Sequence, residues 1–182
     1  MRQLLLLRHA KSAWDDPSVP DHDRPLNLRG RAAAERVAAA FRRLHLSPEL
    51  VLVSSARRTQ ETLHALEPFG DSTLVDTLEN LYLAPAERML DLLRATPETV
   101  RSVLLIGHNP GMHTLALLLV GAAAMARGGA DALRLAEGYP TCALSEFAIT
   151  GPWWNLDAGG GRLVRFVAPS DLPPGETPEA AA

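Results

Sequence analysis

Cysteine is nearly absent. The 182-residue chain holds one, Cys142, so no internal disulfide can form and no cysteine-based zinc site can be assembled. Ala148 stands where a Cys-x5-Arg phosphatase loop needs its arginine, and Cys142 reads as a small buried hydrophobe. Long apolar runs are also missing. None approaches the ~20 residues of a membrane span. Leu4 to Leu7, cut off by Arg8-His9, falls short of the ~7–15-residue core of a signal peptide. A soluble, cytoplasmic chain is expected.

Excess positive charge is missing as well. The formal net charge is -3, and three of the acids (Asp171, Glu176 and Glu179) sit in a tail without Lys or Arg. Without them, basic and acidic residues balance. Such a body has no global field to attract nucleic acid or an anionic membrane, so any anion recognition must be local. The phosphate-binding G-x-x-x-x-G-K-[ST] loop, the dinucleotide G-x-G-x-x-G and the hydrolase G-x-S-x-G elbow are all absent. No H-x-x-x-H pair offers a zinc site, and His108 and His113 are five apart.

What is present is enough apolar material for one packed domain: 47% hydrophobic against 21% charged residues. Strand and helix signals alternate. Gln3–Leu7, Leu50–Val53 and Val103–Ile106 are short continuous apolar runs, the mark of buried strands. A short strand is expected at Thr73–Val75. Residues 10–26 are rich in Pro and Asp and read as a loop. Asn27 is placed to cap a helix reaching Leu44, with Val37, Phe41 and Leu44 on its apolar stripe; Gly30 weakens the first turn. Helices are also expected over 56–66, from Pro85 to Arg94, and after Asn109-Pro110, the last with Asn109 as N-cap. Residues 121–138 give no clear pattern. Ala143–Ile149 and Arg162–Val167 read as a strand pair turned by Gly159-Gly160-Gly161. Beyond Pro169 the composition suggests a disordered acidic tail, leaving residues 1–168 as the folded domain. The alternation predicts an α/β fold, a largely parallel sheet covered on both faces with an antiparallel pair at one edge.

Chemistry gathers at three strand ends. Leu4–Leu7 runs into Arg8-His9, Val51–Val53 into Ser54-Ser55-Ala56-Arg57-Arg58, and Leu104–Ile106 into Gly107-His108-Asn109-Pro110. In open α/β sheets the carboxyl ends of strands form the ligand-binding edge. Helix amides there favour an anion. Histidines, arginines and hydroxyls together on that edge describe a phosphate pocket. Any one of them alone is more often surface or support; their recurrence at one topological place points to function.

These residues resemble the histidine phosphatase superfamily, of phosphoglycerate-mutase-like fold, and within it the small SixA-type phosphohistidine phosphatases. Arg8-His9-Ala10-Lys11-Ser12 is similar to R-H-G-x-S. Asp23-Arg24-Pro25-Leu26 with Arg29-Gly30 resembles R-P-L-[TS]-x-x-G. Ser54 to Thr62 fits S-x-x-x-R-[AT]-x-[QE]-T, which places the second arginine at Arg58. Gly107 to Gly111 is G-H-N-P-G, and Tyr139-Pro140-Thr141 resembles F-P-T. Ala10 departs from the usual Gly, so that position need not take a positive φ. Asp15 stands where many relatives carry Asn, and is expected to point away from phosphate or pair with an arginine.

The resemblance implies a three-layer α/β/α domain and a metal-independent phosphatase without cofactor. His9 would be the nucleophile that becomes phosphorylated; Arg8, Arg58 and a protonated His108 would hold the phosphoryl oxygens, and Glu79 would be the candidate general acid. Ser12, Arg24, Ser54 and Asn109 are the expected substrate-binding residues. The favoured substrate is a phosphohistidine on a protein, because a protonated imidazole can leave without a strong acid and the small inserts predict an open site. Alternatives are a broad small-molecule phosphomonoesterase, a mutase, or a non-catalytic phosphate-binding module.

Overall fold

The structure, a computed structural model, describes residues 1–173. Six strands form one sheet in the order β3-β2-β4-β1-β5-β6. They are β1 (Arg2–Arg8), β2 (Leu50–Ser54), β3 (Leu74–Leu78), β4 (Ser102–Gly107), β5 (Leu144–Ile149) and β6 (Gly161–Val167). β1 pairs parallel with β4, and β2 parallel with β4 and β3; β5 runs antiparallel to both β1 and β6.

The continuous apolar runs arise because both faces of the central strands are covered. Leu4 and Leu6 of β1, Leu50 and Leu52 of β2, and Val103 and Leu105 of β4 enter one core. That core holds α3 (Ala86–Arg94), α4 (Gly111–Val120) and α6 (Ala130–Glu137). Their alternate neighbours Leu5, Leu7, Val51, Val53, Leu104 and Ile106 face the opposite core, built on α1 (Leu28–Arg43) and α2 (Arg57–Leu66). Each fully buried Leu or Val contributes roughly 1.5–3 kcal/mol, so a one-residue slip of a central strand would forfeit contacts on both faces.

The chain leaves β1 towards the α1/α2 layer and leaves adjacent β4 towards the α3/α4/α6 layer. Such a divergence opens a crevice at the strand ends, the switch point of an open sheet. The His9 amide donates to the Gly107 carbonyl at 3.1 Å and ties the two exits together.

Local sequence explains most boundaries. The Asn27 side chain accepts from the Gly30 amide at 2.8 Å and caps α1 as expected. Gly30 is required by crowding: a Cβ there would lie 2.1 Å from the Lys11 carbonyl oxygen. Pro85 precedes α3 rather than opening it.

Three expectations are corrected, and one stretch left open is filled. Asn109 does not cap α4: Pro110 stands at the cap, and the Asn109 amide instead donates to the Tyr139 carbonyl at 2.9 Å. The β5–β6 connection spans 150–160 with a 3-10 turn at Trp153–Asn155, and Gly161 already belongs to β6. Trp153 buries its ring there and donates to the Val100 carbonyl, which makes the long connection part of the core. Residues 121–138, without clear signal in sequence, form α5 (Ala122–Arg127) and α6. Finally, Pro169–Asp171 is a 3-10 turn and Leu172 packs into the α1/α2 core, so order continues past residue 168. The rest of the expected tail, 174–182, lies outside the described residues. No helix among the described residues is long and apolar enough to cross a membrane.

Candidate active site

The carboxyl ends of the neighbouring strands β1, β4 and β2 deliver His9, His108 and Arg58 to one crevice. The His9 and His108 rings lie 5.1 Å apart, centroid to centroid. A pocket of about 440 Å³ opens over His9, which lines it together with Arg8, Lys11, Ser12, Trp14, Asp21, Arg58, Leu83 and Thr141. Ala10, directly after His9, is fully buried and does not take a positive φ; its amide donates to Thr62 Oγ1 on α2.

The tautomers of both histidines follow from their partners. His9 Nδ1 sits 2.7 Å from the Ala10 carbonyl oxygen, which can only accept. The proton is therefore on Nδ1, and Nε2 keeps its lone pair. Burial pushes the His9 pKa down to about 4, helped by the charges of Arg58 and Arg8 and opposed by the Ala10 carbonyl. The ring is neutral at pH 7. His108 Nε2 lies 2.7 Å from Ser54 Oγ, and that oxygen also takes the Ala56 amide at 3.4 Å. The Ser54 hydroxyl proton has no other acceptor among the described residues, so donation to Nε2 pairs both groups and puts the His108 proton on Nδ1. Burial, then the neighbouring His9 and Arg58, push its pKa to about 3. Against the expected protonated His108, burial and the neighbouring charges hold the ring neutral, with Nδ1–H left as its donor. That Nδ1 is buried without a protein partner among the described residues, as is Arg8 Nε. Two unpaired donors beside His9 favour an acceptor-rich ligand.

The arginines are held from behind. Arg8 Nη1 donates to the Tyr139 carbonyl at 2.8 Å, the same oxygen that takes the Asn109 amide. Arg58, only 4% exposed, donates Nη1 to the Asp21 carbonyl and Nη2 to its carboxylate at 2.9 Å. Asp21 Oδ2 also accepts from the Tyr82 hydroxyl at 2.5 Å. Despite its own partial burial, the Asp21 carboxyl is held below its usual range by the Tyr82 hydroxyl and Arg58. Arg57, by contrast, is exposed and pairs with Glu61, so Arg58 is the arginine turned to the site.

The structure sorts the other expected residues. Ser12 lines the pocket and accepts from Trp14 Nε1. Ser54 supports His108 from beneath. Arg24 is buried, stacks under Trp14 at 4.1 Å and donates to the Ala13 and Asp16 carbonyls, so it braces the loop rather than lining the pocket. Asn109 lines a neighbouring groove. Glu79 is exposed, bonded by Ser55, and does not line the pocket. Asp15 is exposed on an adjoining groove and does not line the pocket. The carboxylate that does line the pocket is Asp21, which sequence reasoning missed because it sits in an aperiodic loop. The one available signal was the need for an acid to hold a buried arginine.

Comparison with known proteins bears on the family. The description "Histidine phosphatase superfamily (branch 1)" matches residues 4–82. An uncharacterised chloroplastic protein of Arabidopsis thaliana is 35% identical, covering 92% of this chain and 78% of its own. An uncharacterised protein of Mycobacterium tuberculosis is 31% identical over 90% of this chain and 99% of its own. Among solved structures, a candidate phosphohistidine phosphatase SixA from Agrobacterium tumefaciens superposes with a TM-score of 0.77 at 32% identity, covering 92% and 97% of the two chains. Its counterpart from Nakamurella gives 0.80 at 28%, covering 92% and 96%. The chain belongs to the histidine phosphatase superfamily, in its SixA-type branch. It is a histidine-type phosphatase.

Proposed function

We propose that the protein removes phosphate from phosphohistidine on a protein, through a phosphorylated His9 and without a metal. The observation that carries this reading is the bond from His9 Nδ1 to the Ala10 carbonyl, which leaves Nε2 as an unprotonated nucleophile beside two guanidinium groups. His9 Nε2 attacks phosphorus; the new P–N bond forms as the bond to the substrate imidazole breaks. The electron pair goes to the departing nitrogen. That ring leaves neutral when its other nitrogen carries a proton. Water then attacks the His9-bound phosphorus, and His9 departs neutral because its Nδ1 proton never moves.

Arg8, Arg58 and the Nδ1–H of His108 hold the equatorial oxygens, where a loose transition state places its charge. This clamp supplies the electrostatic stabilisation that the reaction needs. The substrate class follows from the acids. Glu79 stands outside the pocket, and Asp21 is engaged by Arg58 and Tyr82 with a depressed pKa. Neither is a protonated donor for an alkoxide, whereas an imidazole needs none.

The test is phosphate release from a phosphohistidine-bearing protein in EDTA, with wild type and His9→Ala side by side. Release by wild type alone is expected. Equal release by both, or release only on adding metal, would overturn the mechanism.

A further inference from the structure

A second groove adjoins the catalytic pocket. It encloses about 650 Å³ and shares Lys11, Ser12 and Trp14 with that pocket. From there it runs over the first turn of α1, past Leu28, Arg29 and Arg31. Its charge is one-sided. Lys11, Arg29 and Arg31 are exposed, and none joins an ion pair among the described residues. Asp15 is the one carboxylate on its walls. No acid in the first turn of α1 offsets Arg29 and Arg31, which meet the positive end of the helix dipole. The arrangement costs the free protein something and is relieved by an anionic partner.

The same groove presents apolar surface. Leu28 is 84% exposed and Trp14 67%. Trp14 is nevertheless fixed: its Nε1 donates to Ser12 Oγ at 3.1 Å, and the Arg24 guanidinium lies 4.1 Å from its ring centre. A pre-ordered exposed aromatic loses little entropy when a partner covers it.

We propose that this groove docks an acidic polypeptide segment flanking the phosphorylated residue, a refinement that rests on the protein-borne substrate proposed above. Carboxylates of the segment meet Lys11, Arg29 and Arg31, and one apolar side chain lies between Trp14 and Leu28. Concavity and continuity with the pocket favour a polypeptide over a flat lipid surface. A chain whose reacting residue sits over His9 must leave the pocket by some wall, and this wall carries the complementary charge.

The test uses two synthetic peptides of equal length, each with one central histidine. One is flanked by Asp, Glu and a Leu, the other by Lys and a Leu. Binding of the unphosphorylated, fluorescently labelled peptides is read by polarisation, and hydrolysis of the phosphorylated ones by phosphate release. At low salt the acidic peptide should bind about tenfold more tightly, and the difference should shrink at high salt. The double variant R29E/R31E should lose the preference while keeping the wild-type Tm and its rate on free phosphoramidate. Equal affinity for the two peptides would overturn the proposal, as would a preference that survives in R29E/R31E. Arginine-dependent binding to phosphatidylserine vesicles with no peptide preference would overturn it in favour of a membrane face. Preferential binding of the acidic peptide without hydrolysis of its phosphohistidine would support the docking groove and reject the phosphohistidine substrate.

Discussion

Ser54 Oγ lies 2.7 Å from His108 Nε2, and this one bond decides which nitrogen of the ring can donate to a ligand. With Nε2 accepting from the hydroxyl, the proton is confined to the unpartnered Nδ1. Ser54→Ala frees the ring to take the other tautomer. We expect kcat/KM on phosphoramidate to fall about tenfold, in the range seen when a partner that orients a functional histidine is removed. Ser54→Thr, which keeps the hydroxyl, should recover most of the loss. Nitrogen NMR of His108 provides the readout that a mere packing defect would not move.

Protonation sets the acid limit of the enzyme. His9 and His108 have folded pKa values near 4 and 3, against 6.5 without the fold. As pH falls below 6.5 the unfolded chain takes up protons that the folded one does not, so stability declines down to the folded values and levels off beneath them. His9 alone contributes roughly 3 kcal/mol to that decline. Imidazole NMR signals of both residues should remain those of neutral rings down to about pH 5. Titration of either ring near its ordinary value would show that burial does not hold the pair neutral and would remove the predicted loss of stability.

Arg58 and Asp21 should respond unequally to conservative changes. Arg58→Lys cannot reproduce the two-point contact with Asp21, and a kcat loss on the order of 100-fold is expected. Asp21→Asn keeps an acceptor for Arg58 and Tyr82, and its backbone carbonyl still takes Nη1. A loss of less than about tenfold is expected. Steady-state kinetics on one substrate compares the two. The reverse order would mean that Asp21 takes part in the chemistry directly.

Gly30→Ala tests the close approach of α1 to the catalytic loop. The added methyl meets the Lys11 backbone, which cannot yield as a flexible side chain could. We expect a stability loss of about 1–3 kcal/mol, a Tm lower by about 2–10 °C, and a weaker active site because Lys11 and Ser12 shift with it. Calorimetry and KM measured together check both effects.

Much of this could be read in the sequence because burial on two faces writes itself as unbroken apolar runs. The β1, β2 and β4 runs located the strands, and the residues that follow them located His9, His108 and Arg58. What stayed hidden depends on contacts across the chain. Nothing local distinguishes Asp21 from its loop neighbours until Arg58, on α2, reaches it. Asn109-Pro110 looks like a helix cap, yet the amide is drawn away by the Tyr139 carbonyl, thirty residues on. The β5–β6 connection looked like a glycine turn because the burial of Trp153 against Val100 has no short-range signature. Glu79 is a candidate by its neighbourhood in the chain, whereas its position in space puts it with Ser55, outside the pocket.

The strand that ends at the proposed nucleophile, His9, has no spare face. Leu4 and Leu6 serve one core and Leu5 and Leu7 the other, while β4 and β5 hold both of its edges. The height of His9 above the sheet is therefore set four times over by groups that never meet phosphate. Loops that choose the substrate can change without moving it. Conversely, a cavity cut beneath it in either core removes one of those supports, so lost packing there is expected to register in activity as well as in Tm.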